Sequence, residues 1–125
     1  MEKELYIMEE EQDKCRKVME AYTELYEKDD VLVVEAGKYG FVKLQYFNKN
    51  KGFDYAIIFT DSQNMFDDLW EEWYEMYLLD FVKGMPTVVA ELDYDEIFKC
   101  LPDEKKKELM NKKKYFAEKA GIEIA

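Results

Sequence analysis

Residues 60–84 read TDSQNMFDDLWEEWYEMYLLDFVKG, and this stretch decides the fold because its signals predict one long helix. Thr60 and Gln63 match a capping box, in which the threonine hydroxyl accepts from the third helical amide and the glutamine side chain reaches back. At the other end, Lys83 places a cation in the last turn, and Gly84 favours a left-handed stop. The rest of the chain is expected to pack around this helix.

At 100° per residue, the apolar side chains of this helix cover a continuous arc of roughly 200°. Both tryptophans of the chain lie in the arc, and Asp68, Glu71, Glu72 and Glu75 lie opposite. A helix that packs on one sheet needs an apolar stripe of only about 100° or somewhat more. The surplus must therefore meet a second layer of the chain or a partner, which leaves open a homodimer through the aromatic face of the 60–84 helix.

The residues before the central helix predict one helix and three strands. Apolar side chains at helical spacing predict a helix over 9–28. The β-branched run 31–36 is typical of a buried strand, 41–47 alternates, and 53–60 predicts a third strand. Strands joined by such short links should form an antiparallel meander.

The second strand is predicted to have one wet side. Val42 and Leu44 face one way and Lys43 the other, so the lysine side is expected to meet solvent. Large aromatic side chains cluster near this side and the hairpin ends, and Tyr39, Phe41 and Phe53 are therefore candidate anchors for a partner.

After the central helix, 87–90 is either a short edge strand or simply extended. Asp93 with Glu96 predicts the cap of a short helix, and Pro102 is placed to begin a last helix that ends near Gly121. The sequence thus predicts a single α+β domain over 1–125. Its order is α-β-β-β-α, an antiparallel meander packed against a long central helix, with a C-terminal helical tail.

The net charge of −11 is concentrated in two helices, and residues 52–82 carry 8 acids and no base. Such a surface repels nucleic acid and attracts a basic partner. The helix, meander, helix order is that of double-stranded-RNA-binding domains, but the position where those domains carry basic residues here holds Asp61, Asp67 and Asp68. No direct nucleic-acid binding is therefore expected, and solubility alone is the simpler explanation of the charge.

Residue types needed for common catalytic sites are scarce. The chain has no histidine, 2 cysteines, one serine (Ser62) and one arginine (Arg16), so the usual nucleophile and base arrangements cannot be assembled. We predict a protein that is not an enzyme and uses no cofactor or metal, because helical carboxylate sites for iron or manganese normally add histidine. A small-ligand or metal-binding protein stays an alternative, and a pocket lined by Asp80 and tyrosines would favour it.

Two features bear on the compartment. Cys15 and Cys100 lie far apart in sequence and are predicted to fill core positions, which is typical of the reduced cytoplasm. No apolar run approaches the roughly 20 residues that span a bilayer, so no membrane association is expected.

The runs YGFVKLQYF (39–47), GFDYAIIFTDSQNMFDDLWEEW (52–73), DYDEIFKCLP (93–102) and YFAEKAGI (115–122) carry a resemblance that spans residues 8–122. They resemble small acidic, uncharacterised cargo proteins of integrative and conjugative elements in anaerobic Gram-positive bacteria. The resemblance implies a context and no activity, because cargo of mobile elements commonly includes regulators, immunity proteins and inhibitors.

The hypothesis that follows is a non-catalytic interaction protein that binds a basic partner. Its predicted contact residues are the acids of the central helix and the aromatic side chains at the hairpin ends, namely Asp67, Asp68, Glu71, Glu72, Glu75, Tyr39, Phe41 and Phe53.

Overall fold

The structure is a computed structural model that describes residues 7–26, 31–48, 52–86 and 91–123, with the side chains of 45–48 and 52–55 outside that description. The elements follow in the order α1 (Glu9–Leu25), β1 (Val31–Glu35), a 3₁₀ turn (Gly37–Tyr39), β2 (Phe41–Asn48), β3 (Gly52–Phe59), α2 (Ser62–Val82), α3 (Tyr94–Cys100) and α4 (Asp103–Ala120). The predicted α+β order with an antiparallel meander is confirmed. The predicted edge strand at 87–90 lies outside the described residues.

The central helix α2 begins one residue later than predicted, because Asp61 and not Thr60 is its N-cap. The Asp61 carboxylate accepts a hydrogen bond from the Asn64 amide at 2.8 Å, which satisfies one of the unpaired amides of the first turn. The predicted stop at Gly84 is confirmed, since Gly84 adopts a φ of 85°. The predicted cap of α3 is confirmed. The Asp93 carboxylate accepts from the Glu96 amide, and the Glu96 carboxylate accepts from the Asp93 amide.

The first helix is held to α2 and to β1 by its polar side chains. It ends at Leu25, earlier than predicted, because Tyr26 adopts an extended conformation. The Glu11 carboxylate accepts from the Ser62 amide at 3.0 Å, so α1 supplies an anion to the positive N-terminus of α2. Arg16 Nη2 donates to Glu35 Oε2 at 2.7 Å and ties α1 to β1.

The three strands form an antiparallel sheet in the order β1-β2-β3, and the register assigns each side chain to a face. Val33, Lys43 and Ile57 are aligned across the sheet, as are Leu32, Leu44 and Ala56 in the alternate row. The inner face, which α1 and α2 cover, carries Val31, Val33, Glu35, Phe41, Lys43, Ile57 and Phe59. The outer face is wholly apolar at the described positions and carries Leu32, Val34, Val42, Leu44, Ala56 and Ile58.

This assignment reverses the predicted sides of β2. Lys43, predicted to meet solvent, is only 2% exposed, whereas Ile58 on the opposite face is 66% exposed. The buried-strand prediction for β1 is also only partly right, because Leu32 is 43% exposed. The reason for the reversal is that α2 brings carboxylates to Lys43, which makes burial of its charge tolerable.

The turn before β2 requires glycine. Gly40 has a φ of 104°, in the left-handed region, and a Cβ at this position would collide with the Phe59 carbonyl oxygen. The close approach of this turn to the end of β3 brings Phe41 and Phe59 together at the base of the core.

The wide apolar arc of α2 is explained by contacts with the C-terminal helices. Phe66 stacks on Phe116 of α4 with ring centroids 4.6 Å apart, and Tyr74 contacts Phe98 of α3 at 6.1 Å. The predicted second layer is therefore formed by α3 and α4. Cys15 fills the core as predicted, but Cys100 is exposed, and the prediction for that cysteine is wrong.

Across the described ranges, no helix combines the length and apolar character needed to cross a membrane.

Candidate functional site

The acids of α2 that the sequence singles out are not all directed to solvent, because two of them form salt bridges with Lys43. Lys43 Nζ lies 2.5 Å from Asp68 Oδ1 and 3.0 Å from Glu72 Oε1. The Lys43 side chain is 3% exposed, and those of Asp68 and Glu72 are 31% and 11% exposed. These three groups, here called the Lys43 triad, form an ion cluster between the sheet and the central helix.

The triad keeps Lys43 charged. Burial alone lowers the pKa of a lysine, but the hydrogen bonds to Asp68 and Glu72 outweigh it, and the net pKa of Lys43 is raised. The ammonium group balances one of the two carboxylate charges, so the triad contributes one net negative charge to the surface above it.

A cavity of about 230 Å³ lies over the triad and is lined by Lys43, Ile57, Asp68, Glu71, Glu72 and Glu75. A second cavity, of about 360 Å³, is lined by Glu71, Tyr74, Glu75, Asp93, Tyr94 and Asp95. Because Glu71 and Glu75 line both, the two cavities adjoin, and together they are called the acidic groove. Its walls carry six carboxylates and one ammonium group.

The charges along the acidic groove repel one another. Among the described residues, no ammonium or guanidinium group pairs with Glu71, Glu75 or Asp95. The pKa of Glu75 is raised by burial and then by Glu71 and Glu72, while a hydrogen bond with Tyr94 opposes the shift. The pKa of the Tyr94 phenol is raised by burial and by Glu75. The acidic groove thus carries more negative charge than the Lys43 ammonium group balances.

Replacing Glu75 with glutamine is expected to stabilise the free protein at neutral pH. The pKa of Glu75 is higher in the folded than in the unfolded chain, so the fold favours the protonated carboxyl over the ionised one. This stabilisation is present below the unfolded pKa of about 4.5 and is lost as the pH rises through the folded pKa. A like-charge pair four residues apart on a helix costs about 0.2–0.5 kcal/mol, so a gain of that size is expected at pH 7 and none at pH 4. Urea denaturation at both pH values measures it.

The exposed Asp67→Asn variant serves as the control, since Asp67 lies on the same helix outside the acidic groove. An equal gain at pH 4 and pH 7 for Glu75→Gln would contradict an electrostatic origin.

The other predicted contact residues are dispersed. Asp67 is exposed and accepts from the Gln63 side chain at 3.0 Å, outside the acidic groove. Tyr39 is 54% exposed in the 3₁₀ turn, where the Lys38 ammonium lies 5.5 Å from its ring centre, but it does not line the acidic groove. Phe41 is fully buried, so its ring is not accessible to a partner and the prediction is corrected on this point. The side chain of Phe53 lies outside the described part of the chain.

Several groove residues were not singled out as contacts from the sequence, namely Lys43, Tyr74, Asp93, Tyr94 and Asp95. The run Asp93-Tyr94-Asp95 could have been found, because acids and a tyrosine at the start of a short helix are exposed and able to bind a cation. Lys43 gave no such signal, since its partners are 25 and 29 residues further along the chain.

The aromatic residues behind the predicted homodimer form a ladder along α2. The Trp70 and Trp73 rings stack at 5.1 Å, and those of Trp73 and Tyr77 at 5.3 Å. Trp70 is 9% exposed, and the Lys113 ammonium lies 6.0 Å from its ring centre. The arc that motivated the homodimer therefore has contacts within the chain, and dimerisation stays a prediction that sedimentation would test.

Carboxylates alone do not make the acidic groove a metal centre. Over the described ranges, no three His, Cys, Asp or Glu side chains are grouped so that they could hold a metal ion. Lys43 occupies the place between Asp68 and Glu72 where a cation would otherwise be attracted.

Comparison with protein-family models, with curated proteins and with solved structures finds no match. The resemblance to cargo of conjugative elements therefore stays a prediction, and the function has to be argued from the geometry of the acidic groove.

Proposed function

We propose that the protein is a non-catalytic interaction module that binds a basic segment of another protein in the acidic groove. Such a module acts as an inhibitor, an immunity protein or a regulator. The observation that carries the proposal is the excess of six carboxylates over one ammonium group along two adjoining cavities. A basic segment supplies the charge that this surface lacks, and long-range attraction accelerates its encounter.

The division of roles within the acidic groove supports a peptide-like cation. In the Lys43 triad the ammonium group already pairs with both carboxylates, whereas no cation of the described residues pairs with Glu71, Glu75 or Asp95. Burial, and then repulsion from Glu71 and Glu72, raise the pKa of Glu75. A bound cation relieves the repulsion, so affinity should fall as Glu75 is protonated.

Two tyrosine rings favour arginine and lysine side chains over a simple inorganic cation. Tyr74 and Tyr94 line the second cavity, and burial raises the pKa of both phenols, so both rings stay neutral. A guanidinium or ammonium group over such a ring is attracted by its quadrupole. Magnesium or calcium would not use these rings.

The test compares wild type with a groove variant, Glu71→Gln with Glu75→Gln and Asp95→Asn. The matched control, Glu20→Gln with Asp67→Asn and Glu118→Gln, removes the same number of charges from exposed positions outside the acidic groove. A fluorescent peptide of alternating arginine and alanine is titrated by anisotropy at low and raised salt. Each immobilised protein is also used to capture proteins from a bacterial lysate.

The groove variant is expected to bind the peptide about tenfold more weakly or worse, with a flatter salt dependence, while the control stays close to wild type. A basic protein captured by wild type and control but not by the groove variant would name the partner. Equal weakening of both variants would show that net charge alone acts, and the proposal would fail.

A further inference from the structure

The strand β3 lies at an edge of the sheet and borders the acidic groove. In the order β1-β2-β3 it pairs with β2 on one side, and within the described residues no further strand, turn or loop backbone bonds to its other side. Alternate residues of an edge strand direct their amide and carbonyl groups outward, which makes the edge a template for one more strand. An extended segment of another protein would find its main-chain partners here.

The register of the sheet places the next inward side chain at the acidic groove. Val33, Lys43 and Ile57 form one row across the inner face, from β1 to β3. A strand added beside β3, about 4.8 Å further on, continues this row with an inward side chain of its own. Ile57 lines the same cavity as Glu71 and Glu75, so that side chain meets these carboxylates. The position therefore favours a long basic side chain.

The spacing of a strand suits more than one basic side chain. Inward side chains of an extended segment are two residues, or about 6.6 Å, apart. Along α2, Asp68 and Glu75 are separated by about 10 Å, and the second cavity extends the acidic groove to Asp95 of α3. Two consecutive inward side chains of such a segment thus lie among carboxylates.

The outer face of the sheet determines the alternate positions of the segment. This face is apolar at the described positions, and at the β3 edge Ile58 is 66% exposed and Ala56 is exposed as well. An outward side chain of the added strand lies beside these two residues and covers part of them if it is apolar. The alternate positions therefore favour apolar side chains.

From this arrangement we infer that the basic partner adds an extended strand to the edge of β3, with arginine or lysine facing the acidic groove and apolar, β-branched residues between them. Main-chain hydrogen bonds provide affinity in this mode of recognition, and side chains on the two faces provide specificity. The inference rests on the proposed function, because it specifies the conformation and the sequence pattern of the segment that binds in the acidic groove.

The test titrates the full chain with three forms of one peptide of alternating arginine and valine. The parent peptide is unmodified, the second form is N-methylated at every arginine and the third at every valine, so the charge is the same in all three. In an added strand, one alternate set of amides points to β3 and the other to solvent. Methylation of one set is expected to weaken binding about tenfold or more by anisotropy, and methylation of the other by less than about threefold.

Hydrogen exchange locates the added strand on the protein. Saturating parent peptide is expected to slow the exchange of the outward amides of β3 by about tenfold or more, as measured residue by residue by NMR. The amides of β1, at the opposite edge of the sheet, should exchange as in the free protein.

Two matched variants test the apolar positions. Ile58→Thr keeps a β-branched residue in the edge strand but removes apolar contact, and it is expected to weaken the parent peptide about twofold to fivefold. Leu32→Thr makes the same kind of change on the same face of β1, at the opposite edge, and should leave the affinity unchanged.

The results distinguish this inference from the proposed function. If binding depends on Glu71, Glu75 and Asp95 but methylation of either set has the same effect, the segment binds in another conformation, and only the inference fails. Protection of β1 amides in place of those of β3 would also overturn the inference alone. Absence of saturable binding of the parent peptide would overturn both.

Discussion

Replacement of Lys43 by methionine is expected to lower the free energy of unfolding by about 3 kcal/mol, because it leaves the Asp68 and Glu72 carboxylates partly buried without a cation. This is the lower end of the range for a broken buried pair, since Asp68 is still 31% exposed to water. Urea denaturation at pH 7 measures the change. A lysine replaced on an exposed face, as in Lys114→Met, should change stability by no more than about 0.5 kcal/mol.

The triple variant Lys43→Met, Asp68→Asn, Glu72→Gln provides the decisive comparison. It removes all three charges, so much of the loss should be recovered if unpaired carboxylates cause it. The pH dependence gives a second check. Because the folded pKa of Lys43 is raised, its stabilisation is complete below the unfolded pKa of about 10.5 and is lost as the pH rises through the folded value. A Lys43→Met protein as stable as wild type would contradict burial of the Lys43 triad.

Replacement of Phe116 by alanine is expected to cost about 3–5 kcal/mol, the range for loss of a large core ring with incomplete collapse of the cavity. Phe116 is fully buried, and its ring centroid lies 4.6 Å from that of Phe66 in α2 and 6.0 Å from that of Tyr22 in α1. It therefore joins three helices at one point. For a domain of this size the total stability is about 6–19 kcal/mol, so the variant should show a clearly lowered Tm.

The neighbouring Tyr115 is the matched control, because its ring is 47% exposed and lies near the Lys119 ammonium at 5.6 Å. Tyr115→Ala should cost less than about 1 kcal/mol. Similar losses for the two variants would indicate that α4 does not pack as described.

The elements of the fold were predictable where the signals are local. The arc of α2, the stop at Gly84 and the capping box of Asp93 and Glu96 all operate within a few residues, and the structure confirms them. The N-cap of α2 was predicted one residue too early. Thr60 and Asp61 are both common N-cap residues, and the local sequence does not decide between them.

The orientation of β2 could not be predicted in the same way. Alternation in a strand separates two faces, but it does not state which face is buried. A lysine usually indicates the solvent side, and this general preference placed Lys43 wrongly. Its burial depends on carboxylates from α2, and their proximity is a consequence of tertiary structure.

The candidate site shows the same division. The acids of α2 were recognised as a group from their helical spacing, and four of the five predicted acids do line the acidic groove. The second wall, formed by Asp93, Tyr94 and Asp95, comes from the start of α3, which no local pattern connects to α2. Phe41 was misjudged together with Lys43, because both side chains belong to the same face of the sheet.

The Lys43 triad has a further consequence for the alignment of α2 along the sheet. Asp68 and Glu72 are four residues apart, so both carboxylates reach Lys43 in one alignment. If α2 slid by one turn, about 5.4 Å, it would present either Asn64 with Asp68 or Glu72 with Met76, and one of the two carboxylates would be lost. A wholly apolar contact would penalise such sliding much less, and single buried polar groups select the alignment of helices in coiled coils for this reason. The Lys43 triad thus favours one position of the central helix along the sheet, and with it the position of the acidic groove.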